Sequence, residues 1–148
     1  TDATPVLKKR ICGNRFEGTN IYKRGEYYYL FASIGTCCNG ATSTYQTVVG
    51  RSKNVLGPYL DKTGRDMLYD YCEIIMSGNE TWAGPGHNSI LIQDDVGTDW
   101  IIYHGYKKKE AENGRYVLMD KLIWSNDGWP SVKSNAPSIL EVAPYFQK

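Results

Sequence analysis

The sequence predicts an all-β chain built from two copies of one multi-stranded unit, and three observations predict it. Short apolar or aromatic runs alternate with turn dipeptides. No stretch sustains a 3.6-residue apolar period with caps. One order of motifs occurs twice, opening at Gly18 and again at Gly86, 68 residues later.

Gly25 precedes Glu26-Tyr27-Tyr28-Tyr29-Leu30-Phe31-Ala32, whose aromatic content suits a pleated, half-buried strand. Tyr45 to Ser52 is the next predicted strand. Asp66 to Met76 reads as a short helical turn or an irregular loop. Ser89 to Gln93 and Trp100 to His104 form a hairpin around Asp94-Asp95-Val96-Gly97. Asn113-Gly114 turns the chain into one long strand, Arg115 to Trp124, and Asn126-Asp127-Gly128 ends it.

The two copies run in parallel. Gly18-Thr19-Asn20 leads through the aromatic strand to Val48-Val49-Gly50-Arg51-Ser52 and Gly57-Pro58-Tyr59. Gly86-His87-Asn88 leads through Trp100-Ile101-Ile102-Tyr103 to Val117-Leu118-Met119-Asp120 and Gly128-Trp129-Pro130. Repeated four-stranded sheets are the pattern of propeller blades. The expected units are residues 14–72 and 73–133, with a tail over 134–148. A closed ring takes at least about four blades, so two alone should expose flat apolar faces unless other blades are supplied.

Composition narrows the function. Hydrophobic residues make up 41% and charged residues 22% of 148, which suits a packed core rather than disorder. Lys and Arg number 17 against 16 Asp and Glu, so nothing electrostatic draws the chain to nucleic acid or anionic membrane. Lys107-Lys108-Lys109 is followed by Glu110 and Glu112 and reads as a solvated loop. No apolar run approaches the roughly 20 residues that span a bilayer, and no signal peptide is visible. The aromatic count (12 Tyr, 4 Trp, 3 Phe) suits strands first and sugar-binding faces second. The four cysteines lack zinc-ligand spacing. Extended backbone would send Cys37 and Cys38 to opposite faces, each to a different partner. A Cys12–Cys72 disulfide has no support from spacing.

The candidate site lies where the two copies begin. Glu17 enters a strand beside Phe16, and the innermost strand of a blade opens on one mouth of the central channel. A desolvated carboxylic acid there keeps its proton near neutral pH, as a general acid must. His87, equivalent to Thr19, should face the same mouth, where it would tune that acid or help hold an ion. One imidazole cannot make a calcium site, which takes about six to eight oxygens. Trp82 precedes His87 in a loop and would stack on a sugar ring or cap a blade. His104 lies mid-strand and reads as structural, and Glu80 has no supporting motif. Nucleophile elbows, phosphate-cradling loops and paired-His motifs are absent.

Phe16-Glu17-Gly18-Thr19-Asn20-Ile21-Tyr22 followed by Gly25-Glu26-Tyr27-Tyr28-Tyr29-Leu30-Phe31 resembles the general-acid blade of glycoside hydrolase family 43. Gly35-Thr36-Cys37-Cys38-Asn39-Gly40, Ser43-Thr44-Tyr45 and Val49-Gly50-Arg51-Ser52 are similar to its endo-1,5-α-L-arabinanase branch. Gly84-Pro85-Gly86-His87-Asn88 is similar to the segment carrying the central-channel His, associated there with calcium or a similar ion. The resemblance covers residues 14 to 133. It implies a five-bladed propeller, of which this chain holds about two blades, and an inverting cleavage of α-1,5-linked arabinan. It implies Glu17 as acid and His87 as the ion-associated residue; Cys38 and Trp82, on loops expected near the channel mouth, are the expected substrate-side residues. The base and a third, acid-orienting carboxylate find no match here and would lie on earlier blades. The chain should then be inactive alone and need the missing N-terminal blades or a second copy, in a protein that is secreted or periplasmic. Rival readings are a non-catalytic sugar-binding module, a self-assembling half-propeller, and an exo-acting arabinofuranosidase or β-xylosidase.

Overall fold

Period-two alternation along one strand organises the first sheet. The computed structural model describes residues 8–147. β1 (Glu17–Arg24), β2 (Tyr27–Ile34), β3 (Gln46–Ser52) and β4 (Glu73–Met76) pair antiparallel in that order. Tyr29 and Phe31 of β2 join Val49 of β3 in one core, while Leu30, Ala32, Ile34 and Val48 join a second core on the opposite face. The unit boundary expected at residue 72 moves past Met76, because Glu73–Met76 pairs with β3. Within Asp66 to Met76 only Met67–Tyr69 is helical, a single 3-10 turn capped by the Asp66 side chain.

The second sheet is less regular. β5 (Trp82–Gly86) and β6 (Ile92–Gln93) both pair with β7 (Asp99–Lys107), whose other edge is occupied by β8 (Arg115–Lys121). β5 and β6 therefore follow one another along the same edge, and Ser89 N–H donates to Ile102 O at 2.8 Å between them. The expected long strand to Trp124 breaks at Leu122, so β9 (Ile123–Trp124) pairs instead with β10 (Pro130–Ser131).

The first core lies between the sheets. Tyr29, Phe31, Val49, Ile75 and Met76 meet Leu91, Ile101 and Tyr103, and Leu122, Trp129 and Val132 close the edge. Asp99 fastens the same seam. Its buried carboxylate accepts Tyr22 Oη–H at 2.7 Å from the first sheet and Trp124 Nε1–H at 2.7 Å. Two sheets stacked in this way are two neighbouring blades. The far face of the first sheet is not bare as expected: Phe16, Tyr59 and Met67, with Ile11, Cys12 and Cys72 beside them, cover it from the chain's own loops. The most exposed aliphatic side chains lie on the second unit and tail, as at Val117 (80% exposed), Ile90 (70%) and Leu140 (91%). Among the described residues, no helix is long and apolar enough to cross a membrane.

Candidate active site

Gly18 and Gly86 bring the two inner strands together. Gly18 has φ +56°, and a Cβ there would stand 3.0 Å from His87 Cγ and 3.2 Å from His87 Cα. Only glycine tolerates both that backbone and that approach. The pairing of β1 with β2 slips between Glu17 and Asn20, a bulge that re-aims Glu17 at the strand entry. Asn20 Nδ2 donates to Asn88 O at 3.2 Å, so the two copies' equivalent asparagines meet side by side. His87 has φ +51°, uncommon for a residue with a Cβ. Its backbone N–H is held by the buried Ser33 hydroxyl at 2.7 Å, and Ser33 is the register partner of Glu17.

Tyr45 joins these pieces. Its hydroxyl donates to Glu17 Oε2 at 2.9 Å and lies 3.4 Å from His87 Nδ1. Burial first, then the hydrogen bond and charge of Glu17, pushes that hydroxyl up to about 12. The Tyr45 and His104 rings stack 5.9 Å apart, and those of His104 and His87 6.1 Å apart. Arg115 Nη1–H lies 3.3 Å from His104 Nε2. Burial first, then the Arg115 and His87 charges, holds His104 down at about 4, so it is neutral at pH 7.

The expected site residues separate accordingly. Glu17 and His87 come together at one mouth. Glu17 is exposed to solvent rather than desolvated, because its neighbours in this chain cover only one side of the carboxylate. Cys38 sits on the loop leaving β2 and returning into Tyr45, hence at the same end of the sheet. It is bonded to Cys37 in a disulfide between adjacent residues, not to a distant partner, and Cys12 and Cys72 are free thiols. Trp82 is not brought to Glu17: it begins β5, is 9% exposed and packs edge-on against Tyr116. His104 belongs to the site and not merely to its strand. Ser33 and Arg115 carried no signal of their own in the sequence, and Tyr45 stood out only within the family-like Ser43-Thr44-Tyr45, with no role attached. The close pair Gly84 and Gly86 did carry a signal, since two glycines in a strand mark a close approach, here to Ser43 and Tyr45.

The four buried aspartates among the described residues are occupied elsewhere. Asp61 accepts from Thr63 and Arg65, Asp94 from Thr98 and Trp100, Asp99 from Tyr22 and Trp124, and Asp120 from Tyr103. Among the described residues, no group of three or more His, Cys, Asp or Glu side chains converges as metal ligands. The arrangement offers one exposed carboxyl, anchored by a tyrosine beside an imidazole.

Known proteins share this arrangement of strands. The chain is 45% identical over 118 residues to the extracellular exo-α-(1→5)-L-arabinofuranosidase ArbA of Cellvibrio japonicus, covering 80% of this chain and 33% of that protein. It is 41% identical over 120 residues to the extracellular endo-α-(1→5)-L-arabinanase 1 of Bacillus subtilis, covering 80% and 35%. It superposes on the Cellvibrio cellulosa α-L-arabinanase complexed with arabinohexaose with a TM-score of 0.75 and 44% identity, covering 81% of this chain and 37% of the other. The chain thus spans about a third of its relatives' length and forms part of a propeller. The signature of the glycosyl hydrolases family 43 matches residues 4–130, and the chain belongs to that family.

Proposed function

We propose that the chain is part of an enzyme cleaving α-1,5-linked arabinan with inversion, and that Glu17 protonates the departing glycosidic oxygen. The observation that carries this is the Glu17 carboxyl: open to solvent on one side, fixed by Tyr45 on the other, and next to His87. Protonation of the leaving oxygen removes the charge that would otherwise build on it as the bond breaks. Inversion needs a second carboxylate across the sugar to activate water, about 6.5–9.5 Å away. The buried aspartates of this chain are engaged by internal donors, so the base and the acid-orienting carboxylate come from other blades. Cys38 lies on the loop at the same end of the sheet and is the substrate-side residue of this reading; Trp82, covered by Tyr116, takes no part in it.

The family resemblance would imply calcium or a similar ion near His87. This chain alone does not fit such an ion, since one imidazole falls far short of about six to eight oxygens. Water and other blades would supply the rest, and no step of the proposal runs through the ion. The arabinan-degrading, extracellular relatives support arabinan or its oligosaccharides as the substrate class, and secretion of the whole protein. Endo and exo action are both represented among them.

Hydrolysis of debranched arabinan by this chain alone, and with the N-terminal remainder of the same protein added, tests the reading. Activity only in the mixture supports it, since losing the base alone should cost roughly 10²–10⁴-fold. Full activity from the lone chain contradicts it. Inactivity in both, with oligosaccharide binding that survives Glu17→Gln, favours the sugar-binding module.

A further inference from the structure

We infer that Tyr45 is a positioning residue whose single hydroxyl fixes both the free oxygen of Glu17 and the tautomer of His87. The inference concerning Glu17 rests on the proposed function; the one concerning His87 does not.

A phenol has one proton and two neighbours here. Glu17 Oε2 lies at 2.9 Å and His87 Nδ1 at 3.4 Å. The carboxyl oxygen is nearer, and 3.4 Å is longer than an ordinary hydrogen bond. The proton therefore points to Glu17. The phenol oxygen then turns its lone pairs towards His87 Nδ1. Two facing lone pairs would repel, so a neutral His87 carries its proton on Nδ1 and donates weakly to Tyr45. Its Nε2 lone pair is left free. On Glu17, Oε2 is occupied as an acceptor, so Oε1 is the oxygen left to carry the acid proton. One side chain thus orients an acid and an imidazole from different blades.

The hydroxyl cannot readily move to suit other arrangements. Tyr45 is 1% exposed. A Cβ on Gly86 would stand 2.5 Å from Tyr45 Cδ1, so the ring is seated against bare backbone. His104 stacks on the ring at 5.9 Å. A ring locked by packing is what holds a functional group within the tolerance that catalysis needs.

The chain has two histidines, so His87→Gln assigns each imidazole signal in a ¹⁵N-labelled sample. Long-range nitrogen–proton spectra at mildly alkaline pH then read the tautomers directly. His87 is expected as the Nδ1–H form in the unaltered chain. Tyr45→Phe keeps the ring and removes the hydroxyl. Glu17→Ala removes the competing acceptor and frees the phenol proton for Nδ1. Both should move His87 towards the Nε2–H form, with backbone spectra otherwise preserved. An Nε2–H signal in the unaltered chain, or a tautomer unchanged in both variants, would overturn the inference. In the complete enzyme, Tyr45→Phe should lower kcat on arabino-oligosaccharides about tenfold with little change in KM, as for an interaction made in the transition state. An enzyme inert on those substrates would sink the functional reading and leave the tautomer result to stand or fall by itself.

Discussion

Asp99→Ala should loosen the seam between the blades. The Asp99 carboxylate is 3% exposed and accepts from Tyr22 Oη at 2.7 Å, Trp124 Nε1 at 2.7 Å and Gln93 Nε2 at 3.1 Å. Arg24 adds an ion pair at 3.4 Å, but its side chain is 47% exposed and contributes little. Alanine leaves the Tyr22 hydroxyl and the Trp124 N–H without a partner, each costing about 1–3 kcal/mol. Both groups are half-buried, and water reaches them in part, so the low end applies. A total near 2 kcal/mol is expected, roughly thirtyfold in the folded-to-unfolded ratio and a sizeable share of about 5–15 kcal/mol. Tyr22→Phe alone should cost about 1 kcal/mol, and the double variant should show coupling of similar size. Urea unfolding of the chain followed by tryptophan fluorescence measures all three. A loss below about 0.5 kcal/mol for Asp99→Ala, the range of ordinary surface changes, would refute the reasoning. It would mean that apolar contact alone holds the blades together.

The His104 imidazole, held down at about 4 against an ordinary 6.5, should make the chain acid-sensitive. The unfolded state binds this proton more readily, so the contribution is whole above pH 6.5 and is lost as pH falls towards 4. Allowing for partial exposure, the loss is about 2 kcal/mol, and His104→Gln should flatten the acid limb of a stability–pH curve. Gly86→Ala drives a methyl into the Tyr45 ring and should cost about 1–3 kcal/mol in the same unfolding assay; an unchanged midpoint would show that the ring moves freely. Of four cysteines, two should react with a thiol reagent after unfolding without reductant, and four after reduction, as mass spectrometry would count.

Strand content was legible because it is local. The run from Tyr27 to Ile34 carries its two faces in its own alternation, and the repeat from Gly18 to Gly86 located both inner strands. That repeat also brought Glu17 and His87 to one mouth, since equivalent positions of stacked units must lie side by side. What stayed hidden depends on contacts between units. Tyr45 stands in a family-like motif, but its part in the site shows only once Gly86 is seen to leave room for its ring. His104 joins the site only because the register sets it opposite Gly86. The disulfide between Cys37 and Cys38 was missed because extended geometry was assumed where the chain forms a loop. The strand Glu73–Met76 was missed because its apolar run is short and follows a helical turn.

The role of Glu17 is tested most directly by the leaving group. In the complete enzyme, Glu17→Gln should slow cleavage of an arabino-oligosaccharide roughly 10²–10⁴-fold. The same variant should retain most of its rate on an aryl arabinoside whose phenolate departs without protonation. Equal losses on both substrates would show that Glu17 does not donate the proton.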